Sequence, residues 1–214
     1  MGNKSILMSI QPQWVAKILN GEKTIEVRKK FPKDYVGWVY IYCTKKYKIT
    51  QANNGEYVTE YGKNYRINSR FSIHGYVVAR FWCDKASVIN FNSCPMIPTI
   101  AYTTFLDRYY SDTDLQRASC LNGNELMWYL GTDKKEVGYA IHISKLEVFD
   151  NCWALTYFRK YGYEEEREKY AISGKPHKSL LDWLREWSVK RPPQNYCYVE
   201  PNWSGYDNKT LWIS

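Results

Sequence analysis

A chain of 214 residues that is 44% hydrophobic and 17% aromatic has enough apolar side chains for a folded core, which excludes an intrinsically disordered protein. Its 30 Lys and Arg residues exceed its 22 Asp and Glu residues, and the net charge of +8 favours a polyanionic partner. No segment reaches the ~20 apolar residues of a membrane span, and the N-terminus lacks a secretion signal, so we expect a cytoplasmic protein without a membrane anchor.

The cysteine and histidine spacing indicates neither a metal site nor a redox site. Six cysteines lie along the chain without a C-x-x-C pair, and the three histidines stand far apart. Structural zinc sites and thioredoxin-like sites need closely spaced ligands or thiols. P-loop and G-x-S-x-G motifs are also missing from the sequence. We therefore predict reduced thiols, no metal ligands and no cofactor.

The start of the chain predicts a strand followed by a helix. The apolar run from Ile6 to Ile10 is typical of a buried strand, and Pro12 suits the first turn of a helix from Gln13 to Asn20. Asn20-Gly21 then predicts a left-handed stop. One helix face carries the apolar residues that we expect to pack into the core, namely Trp14, Val15, Ile18 and Leu19.

A charged strand is predicted directly after this helix. Ile25 and Val27 alternate with Thr24, Glu26 and Arg28, the period of a half-buried strand, and Lys23 stands at its start. The polar face at the start of a sheet is a candidate ligand site. The alternative interpretation is that Glu26 only forms an ion pair with Lys23 or Arg28 on a solvated face, without binding a ligand.

The same segment fits the pattern G-x-K-x-x-E-x-R through Gly21, Lys23, Glu26 and Arg28. With the strand and helix before it, it resembles the signature of the ASCH family. The resemblance is clearest over residues 6–28 and looser to about residue 148. It implies an α+β fold, an open PUA-like β-barrel with peripheral helices, whose cleft lies between the first helix and the barrel.

The resemblance also implies a function in RNA binding or RNA processing. Some small ASCH proteins are amidohydrolases of acetylcytidine in which a Lys, a Thr and a Glu act together, and one member has been associated with ribonuclease action. Lys23 aligns with their lysine, but Glu26 stands where they carry the nucleophilic threonine. Thr24 is one strand period away on the same face.

Positive charge and aromatic rings are concentrated in the first third of the chain. Residues 1–70 hold 13 of the basic and 5 of the acidic side chains, so they account for the whole net charge. Lys29 and Lys30 continue this surplus directly after Arg28. Because rings such as Tyr35 and Tyr47 lie among the basic residues, stacking on unpaired bases is one use for them, and core packing is the other.

Strand patterns dominate the middle of the chain. We predict strands over Gly37 to Thr44, Phe71 to Cys83 and Val137 to Val148, with a bulge or bend at Gly75 and with Ile73, Val77, Ala79 and Phe81 on one face. A polar insertion over about residues 45–68, with a turn at Asn53-Asn54-Gly55, predicts a projecting hairpin. Within residues 99–130 we predict helices over Thr103 to Tyr110 and Glu125 to Leu130.

The C-terminal part predicts a helical extension, which gives a barrel domain over 1–150 and an extension over 151–214 in one globular unit. Residues 164–169 form a solvated helix face, and an apolar stripe requires a covering surface. The stripe consists of Leu180, Trp183, Leu184 and Trp187. From the resemblance to longer bacterial and phage-type ASCH proteins, the segment after Arg191 closes over the cleft and brings Arg191, Gln194 and Tyr196 near Lys23.

Three functions remain open from the sequence. In the first, the protein binds RNA or a nucleotide through a basic cleft, and its ligand contacts are Lys23, Thr24, Glu26, Arg28, Lys29, Lys30, Arg191, Gln194 and Tyr196. In the second, it is a hydrolase of amidohydrolase or ribonuclease type in which Lys23 and Glu26 are catalytic. In the third, the Trp-rich C-terminal half binds a protein. The oligomeric state stays open.

Overall fold

The computed structural model describes residues 4–45, 48–51, 54–60, 73–90, 102–105, 108–110, 112–131, 138–174 and 178–201. In chain order their elements are β1 (Ser5–Ile10), α1 (Pro12–Leu19), β2 (Ile25–Arg28), β3 (Gly37–Cys43), β4 (Lys48–Gln51), β5 (Tyr57–Glu60), β6 (Val77–Cys83), β7 (Ala86–Asn90), β8 (Tyr102–Phe105), β9 (Arg108–Tyr110), α2 (Asp112–Ser119), α3 (Gly123–Leu130), β10 (Gly138–His142), β11 (Ser144–Trp153), a 3₁₀ turn (Leu155–Tyr157), β12 (Phe158–Lys160), α4 (Tyr163–Ile172), α5 (Leu180–Trp187) and β13 (Tyr196–Pro201).

These strands form two open sheets and a separate hairpin. The six-stranded sheet has the order β11-β6-β3-β1-β13-β12, and the five-stranded sheet has the order β2-β10-β7-β8-β9. β1 and β3 are parallel, whereas β1 and β13 are antiparallel. The predicted α+β class is confirmed. Within the residues named above, neither sheet closes on itself, so the barrel itself stays a prediction.

The central strand β1 of the six-stranded sheet is buried on both faces, which explains why its residues are apolar apart from Ser5 and Ser9. On one face, Ile6, Met8 and Ile10 pack against Val15 and Ile18 of α1. On the other face, Leu7 packs in a second cluster with Tyr40, Phe158 and Val199 among others. Burial of apolar area on both sides is what holds this central strand in place.

Helices α2 and α3 cover the apolar side of β2. Ile25 and Val27 pack with Leu115 and Leu126 in a third cluster. The opposite side of β2 is buried too, since Glu26 is 5% and Arg28 8% exposed. The prediction of a half-buried strand is therefore wrong, because the charged face lies in a cleft instead of at the surface.

The helix predicted over Thr103 to Tyr110 is wrong. β8 and β9 form an antiparallel hairpin there, and β8 also pairs with β7. Threonine and aromatic side chains fit a pleated sheet better than a helix, and cross-strand pairing decides the outcome. The predicted helix over Glu125 to Leu130 is confirmed as α3, which begins at a capping box between Asn122 and Glu125.

The strand predicted from Phe71 begins later, at Val77, and residues 73–76 lead into it through a turn with Gly75 at φ +86°. Phe71 and Ser72 lie outside the described residues. A register shift pairs Ile41 with Ala79 but Tyr42 with Val77, so the bulge falls at Val78, whereas the chain bends at Gly75 in the turn before the strand. The extra residue moves Val77 onto the opposite face from Ala79, which corrects the predicted face.

The other middle strands follow the predictions with small changes. β3 alternates as expected, with Val39 and Ile41 in one cluster and Tyr40 and Tyr42 in the other. The stretch predicted as one strand to Val148 divides at Ile143 into β10 and β11, and Val137 lies outside the described residues. β4 and β5 form the predicted hairpin, which lies along α1. Of the predicted turn, Asn54 and Gly55 are described, with Gly55 at φ +88°, whereas Asn53 and residues 46–47, 52 and 61–68 lie outside the described residues.

In the C-terminal part, α4 exposes residues 164–169 as predicted. The tryptophans of α5 pack on α4, with Trp183 against Tyr170 and Trp187 against Tyr163 in edge-to-face contacts. The two tryptophans of the apolar stripe are thus covered by α4. β12 and β13 extend the six-stranded sheet beyond β1. In the described part of the chain, no helix has the length and apolarity needed to cross a bilayer.

Candidate functional site

A cleft of about 630 Å³ opens between α1, β2 and α3, and the segment before β13 forms its remaining wall. A volume of this size is typical of pockets for small molecules. Its lining consists of Ser9, Ile10, Gln11, Trp14, Lys23, Glu26, Val27, Arg28, Lys29, Thr44, Leu121, Glu125, Trp128, Tyr129, Pro192, Pro193, Gln194 and Asn195.

The turn after α1 places Lys23 on the floor of the cleft. Gly21 has φ +76°, so the chain reverses there as predicted, and the backbone N–H of Lys23 donates to the Lys17 carbonyl at 3.0 Å. The next residue is fixed by a hydrogen bond from Thr24 N to Ala118 O at 2.8 Å. The ammonium of Lys23 donates to Ser119 O at 2.6 Å, and the residue is only 2% exposed.

Strand β2 places Glu26 and Arg28 beside this ammonium because Ile25 and Val27 anchor its other face. Lys23 Nζ lies 3.4 Å from Glu26 Oε2, and Arg28 Nε lies 2.9 Å from Glu26 Oε1. Lys23, Glu26 and Arg28 are here called the charged triad. Glu26 lies between the two cations, as the sequence predicts. The ion pairs of the alternative interpretation do form, but they are buried in the cleft and not solvated.

Burial controls the electrostatics of the charged triad. It lowers the pKa of Lys23 below its ordinary value, while the Glu26 carboxylate opposes that shift and Arg28 adds to it. One carboxylate faces two cations, so the triad carries a net positive charge when Lys23 is protonated. Buried charge of one sign is costly unless it is compensated, which favours an anionic or electron-rich ligand at this position.

Arg28 is held by other groups as well. Its Nη2 donates to Ser9 O at 2.6 Å, and its guanidinium lies close enough to Tyr129 to oppose the rise that burial causes in the pKa of that hydroxyl. Arg28 Nε, although close to Glu26, does not direct its hydrogen at a partner, and Ser9 Oγ and Thr44 Oγ1 also lack hydrogen bonds within the described part of the chain. A buried polar group left unpaired costs ~1–3 kcal/mol, so this cleft holds polar groups at an energetic cost.

Aromatic rings form part of the cleft walls. The ring of Trp14 lies 5.4 Å from Lys23 Nζ, a cation–π distance, and Trp14 is half-buried against the core. Tyr129 of α3 has Lys29 Nζ 5.6 Å from its ring, and its neighbour Trp128 is 93% exposed. The cleft thus combines flat rings with buried charge.

Five of the residues predicted as ligand contacts line the cleft, namely Lys23, Glu26, Arg28, Lys29 and Gln194. The other four lie outside its lining: Thr24 and Lys30 are exposed, Arg191 is exposed before the wall segment, and Tyr196 packs edge-on against Phe31 at 5.9 Å. The wall segment itself, through Pro192 to Asn195, does reach the cleft that contains Lys23, as the resemblance implies.

Sequence reasoning missed the contribution of α3. Leu126 and Leu130 mark its buried face by their spacing of four, and Trp128 falls off that face. A tryptophan on the polar side of a short helix was the available signal. The second carboxylate of the lining, Glu125, accepts from Asn122 N at 2.8 Å and is used by the helix cap.

The arrangement supports two kinds of chemistry. The cations and rings can bind an anionic, planar ligand, and a buried lysine of lowered pKa beside a carboxylate can also move a proton. Among the described residues, no three His, Cys, Asp or Glu side chains come together as metal ligands.

No protein-family model matches the chain, and no curated protein matches it. The structure is similar to that of ASCH from Zymomonas mobilis, with a TM-score of 0.47 and 12% sequence identity over 91% of this chain and 86% of that chain. Two single-residue variants of that protein match with TM-scores of 0.46 and 0.47, at 12% and 13% identity, over 91% of this chain and 88% and 87% of theirs. All three structures carry the name of the family that the G-x-K-x-x-E-x-R segment resembles.

Proposed function

We propose that the protein binds single-stranded nucleic acid or a nucleotide, with RNA as the expected form, in the cleft of the charged triad. The observation that carries this proposal is the burial of Lys23, Glu26 and Arg28 on the floor of a cleft whose walls include aromatic rings. Nucleotides offer what these groups bind, namely a negative phosphate, a hydrogen-bonding base edge and a flat apolar face.

Each member of the charged triad has a role in this binding. Arg28 and Lys23 hold a phosphate or accepting atoms of a base edge, and Glu26 accepts from a base amino group or orients Arg28. Trp14 supplies an aromatic wall on which the bound base stacks. Lys29 and Gln194 contact the ligand from the rim, and Thr24, Lys30, Arg191 and Tyr196 extend the contact surface beyond the lining.

A titration of short oligouridines and of free nucleotides tests the proposal, with Lys23→Ala as the variant and Lys17→Ala as its control. Lys17 forms an exposed ion pair with Glu22, so its loss removes the same charge without touching the cleft. We expect Lys23→Ala to weaken binding at least tenfold and Lys17→Ala to change it less than twofold, because a cleft contact is worth ~1.4 kcal/mol or more. Equal effects of the two variants, or no binding by the unmodified protein, would contradict the proposal.

A hydrolase is the second candidate, and the lowered pKa of Lys23 beside Glu26 favours it. Lys23 and Glu26 would then act as the acid and base on an amide or a phosphodiester. Incubation of acetylcytidine and of short RNA with the protein and with its Glu26→Gln variant separates the candidates. A binding protein shows no turnover and still binds in the variant with altered ligand specificity, whereas a hydrolase loses turnover and still holds substrate.

We also infer that the sheets form the open PUA-like barrel of the ASCH resemblance, with a domain over 1–150 and an extension over 151–214 that folds with it. The pairing of β13 with β1 supports a single folding unit, because a strand of the extension completes the sheet of the domain. A fragment that ends at residue 150 should therefore fail to fold on its own, which circular dichroism and thermal unfolding would show.

A further inference from the structure

Trp128 has no packing function that the structure shows. α3 buries Leu126 and Leu130, while Trp128 points away from that face and is 93% exposed. Within the described part of the chain, its indole makes no ring contact, cation–π contact or hydrogen bond. Single exposed apolar residues are common, but this one belongs to the cleft lining, where its flat face borders the proposed binding site.

The groups beside Trp128 are those expected along a nucleic-acid strand. Tyr129 lines the same cleft as Arg28, so the end of α3 lies beside the charged triad. Lys29 Nζ lies over the Tyr129 ring at 5.6 Å, and Lys29 and Lys30 are both exposed. Positive charge therefore lies over the ring next to Trp128 in the chain, at the part of the cleft that α3 lines.

The two tryptophans of the lining differ in a way that fits two successive bases. Trp14 is half-buried and has Lys23 over its ring, so it belongs to the inner cleft. Trp128 has an open ring face at the cleft margin. Because every base has a π-face, an exposed indole is a stacking platform of low sequence preference, and the adjacent lysines can neutralise the phosphate that joins two nucleotides.

We propose that Trp128 stacks on a second base, next to the nucleotide held in the cleft, and that the ligand is therefore a single strand of at least two nucleotides. This inference rests on the proposed function and narrows it, because a free nucleotide would leave Trp128 without a partner. In this arrangement the charged triad recognises one nucleotide, and Trp128 of α3 makes the protein prefer a ligand with a second nucleotide.

The test measures the gain in affinity from a mononucleotide to a dinucleotide, using uridine monophosphate, the dinucleotide UpUp and its analogue without the second base. For the unmodified protein we expect the second base to improve the dissociation constant about 5- to 100-fold and the abasic analogue to lose that gain. Trp128→Ala should abolish the gain and leave affinity for uridine monophosphate unchanged. Trp128→Phe should keep most of it, since a ring remains.

Tyr157→Ala is the matched control, because Tyr157 is an exposed aromatic residue, at 45%, that lies outside the cleft lining. It should leave every affinity unchanged. Unaltered dinucleotide binding by Trp128→Ala would overturn this inference while leaving the proposed function in place. An equal loss for the mononucleotide, or a change in sedimentation coefficient in that variant, would overturn it too, by assigning Trp128 to the inner site or to a protein contact. Failure of the unmodified protein to bind any of the ligands would overturn both proposals.

Discussion

The carboxylate of Glu26 lies 3.4 Å from Lys23 Nζ and 2.9 Å from Arg28 Nε, and all three residues are buried. Removal of one partner from a buried ion pair leaves an uncompensated charge, which is costly even where the pair itself contributes little net stability. The stability of this region therefore depends on Glu26 more than on either cation, because its loss leaves two like charges together.

Glu26→Gln should lower the free energy of unfolding at pH 7 by about 3–5 kcal/mol, since Lys23 and Arg28 then face each other without a carboxylate. Urea unfolding followed by fluorescence measures this change. Glu22→Gln is the control, because Glu22 pairs with Lys17 at the surface, where such a pair is worth at most ~1 kcal/mol. A smaller loss for Glu26→Gln than for Glu22→Gln would show that the charged triad is not held as the structure has it.

The lowered pKa of Lys23 predicts a pH dependence of stability with a definite sign. Between that lowered pKa and the ordinary value of 10.5, the unfolded chain binds more protons at this residue than the folded protein does. The free energy of unfolding, compared with that of a Lys23→Met variant, should therefore rise with pH across this window. The slope can reach ~1.4 kcal/mol per pH unit.

The comparison with Lys23→Met removes contributions from other groups, such as Cys43, whose pKa burial raises to about 12. The groups that act on Lys23 itself are Glu26, Arg28 and Cys120, and all of them remain in the variant. Unfolding curves at pH 7, 8.5 and 10 supply the measurement, with Lys17→Met as the matched control, since it removes a lysine whose ion pair lies outside the cleft. The free energy of unfolding of the unmodified protein minus that of Lys23→Met should rise with pH. If this difference falls with rising pH, the pKa of Lys23 is raised and not lowered.

At the residue scale, the sequence predicted that Lys23, Glu26 and Arg28 lie together, but it did not predict that they are buried. The two-residue period of a strand is enough to place Glu26 and Arg28 on one face, with Lys23 beside them. Burial of that face depends on α3 and the segment before β13, which are about 100 and 165 residues away in the chain. Local periodicity contains no information about such distant contacts, so Trp128 was missed, and the position of the segment after Arg191 was expected only from the family resemblance.

The helix α1 connects the core to the cleft through its two sides. Ile18 is fully buried, whereas Trp14 is only half-buried and lines the cleft. Ile18→Ala should cost ~2–5 kcal/mol of stability as a large-to-small change in a packed core. Trp14→Ala should cost less stability than Ile18→Ala but more ligand affinity, since its ring faces Lys23.

Urea unfolding and nucleotide titration of Ile18→Ala and Trp14→Ala test whether Ile18 serves stability and Trp14 serves binding. Trp14→Phe is the conservative replacement. A greater loss of stability in Trp14→Ala than in Ile18→Ala would mean that Trp14 serves the core alone. Unchanged nucleotide affinity in Trp14→Ala would remove it from the binding site.

At the level of elements, the sequence predicted those helices and strands that a local residue pattern determines. It failed for those that pairing with a distant strand determines. α1 carries its own start and stop signals in Pro12 and Gly21, and the structure has both. The stretch from Thr103 to Tyr110 contains spacing compatible with a helix, but pairing of β8 with β7 and β9 holds it as a hairpin. The bulge at Val78 likewise exists only against β3 and has no signal within its own strand.

Over the whole molecule, the excess positive charge lies in residues 1–70, which also supply most of the cleft floor. If this charge binds a nucleic-acid strand, the logarithm of the binding constant should fall with the logarithm of salt concentration by ~0.7 per phosphate neutralised. Combined Lys29→Ala and Lys30→Ala substitutions should make that slope shallower by about 1.4, because two phosphate contacts are lost. Anisotropy titrations of an oligouridine across salt concentrations measure it.

The matched control combines Arg167→Ala and Lys169→Ala on α4, which remove the same two charges from an exposed helix face. This variant should keep the slope of the unmodified protein. Equal slopes in both variants would show that net charge, and not the position of Lys29 and Lys30, sets the salt dependence.

The strand order has a consequence for how the protein is made. β1 is paired with β3 on one side and with β13 on the other, although β1 and β13 are the first and last strands of the described chain. During translation, the N-terminal strand therefore emerges from the ribosome long before its second neighbour exists. A nascent chain must keep an apolar strand edge open until nearly 200 residues have been added, which makes chaperone binding at β1 an expected feature of its biosynthesis.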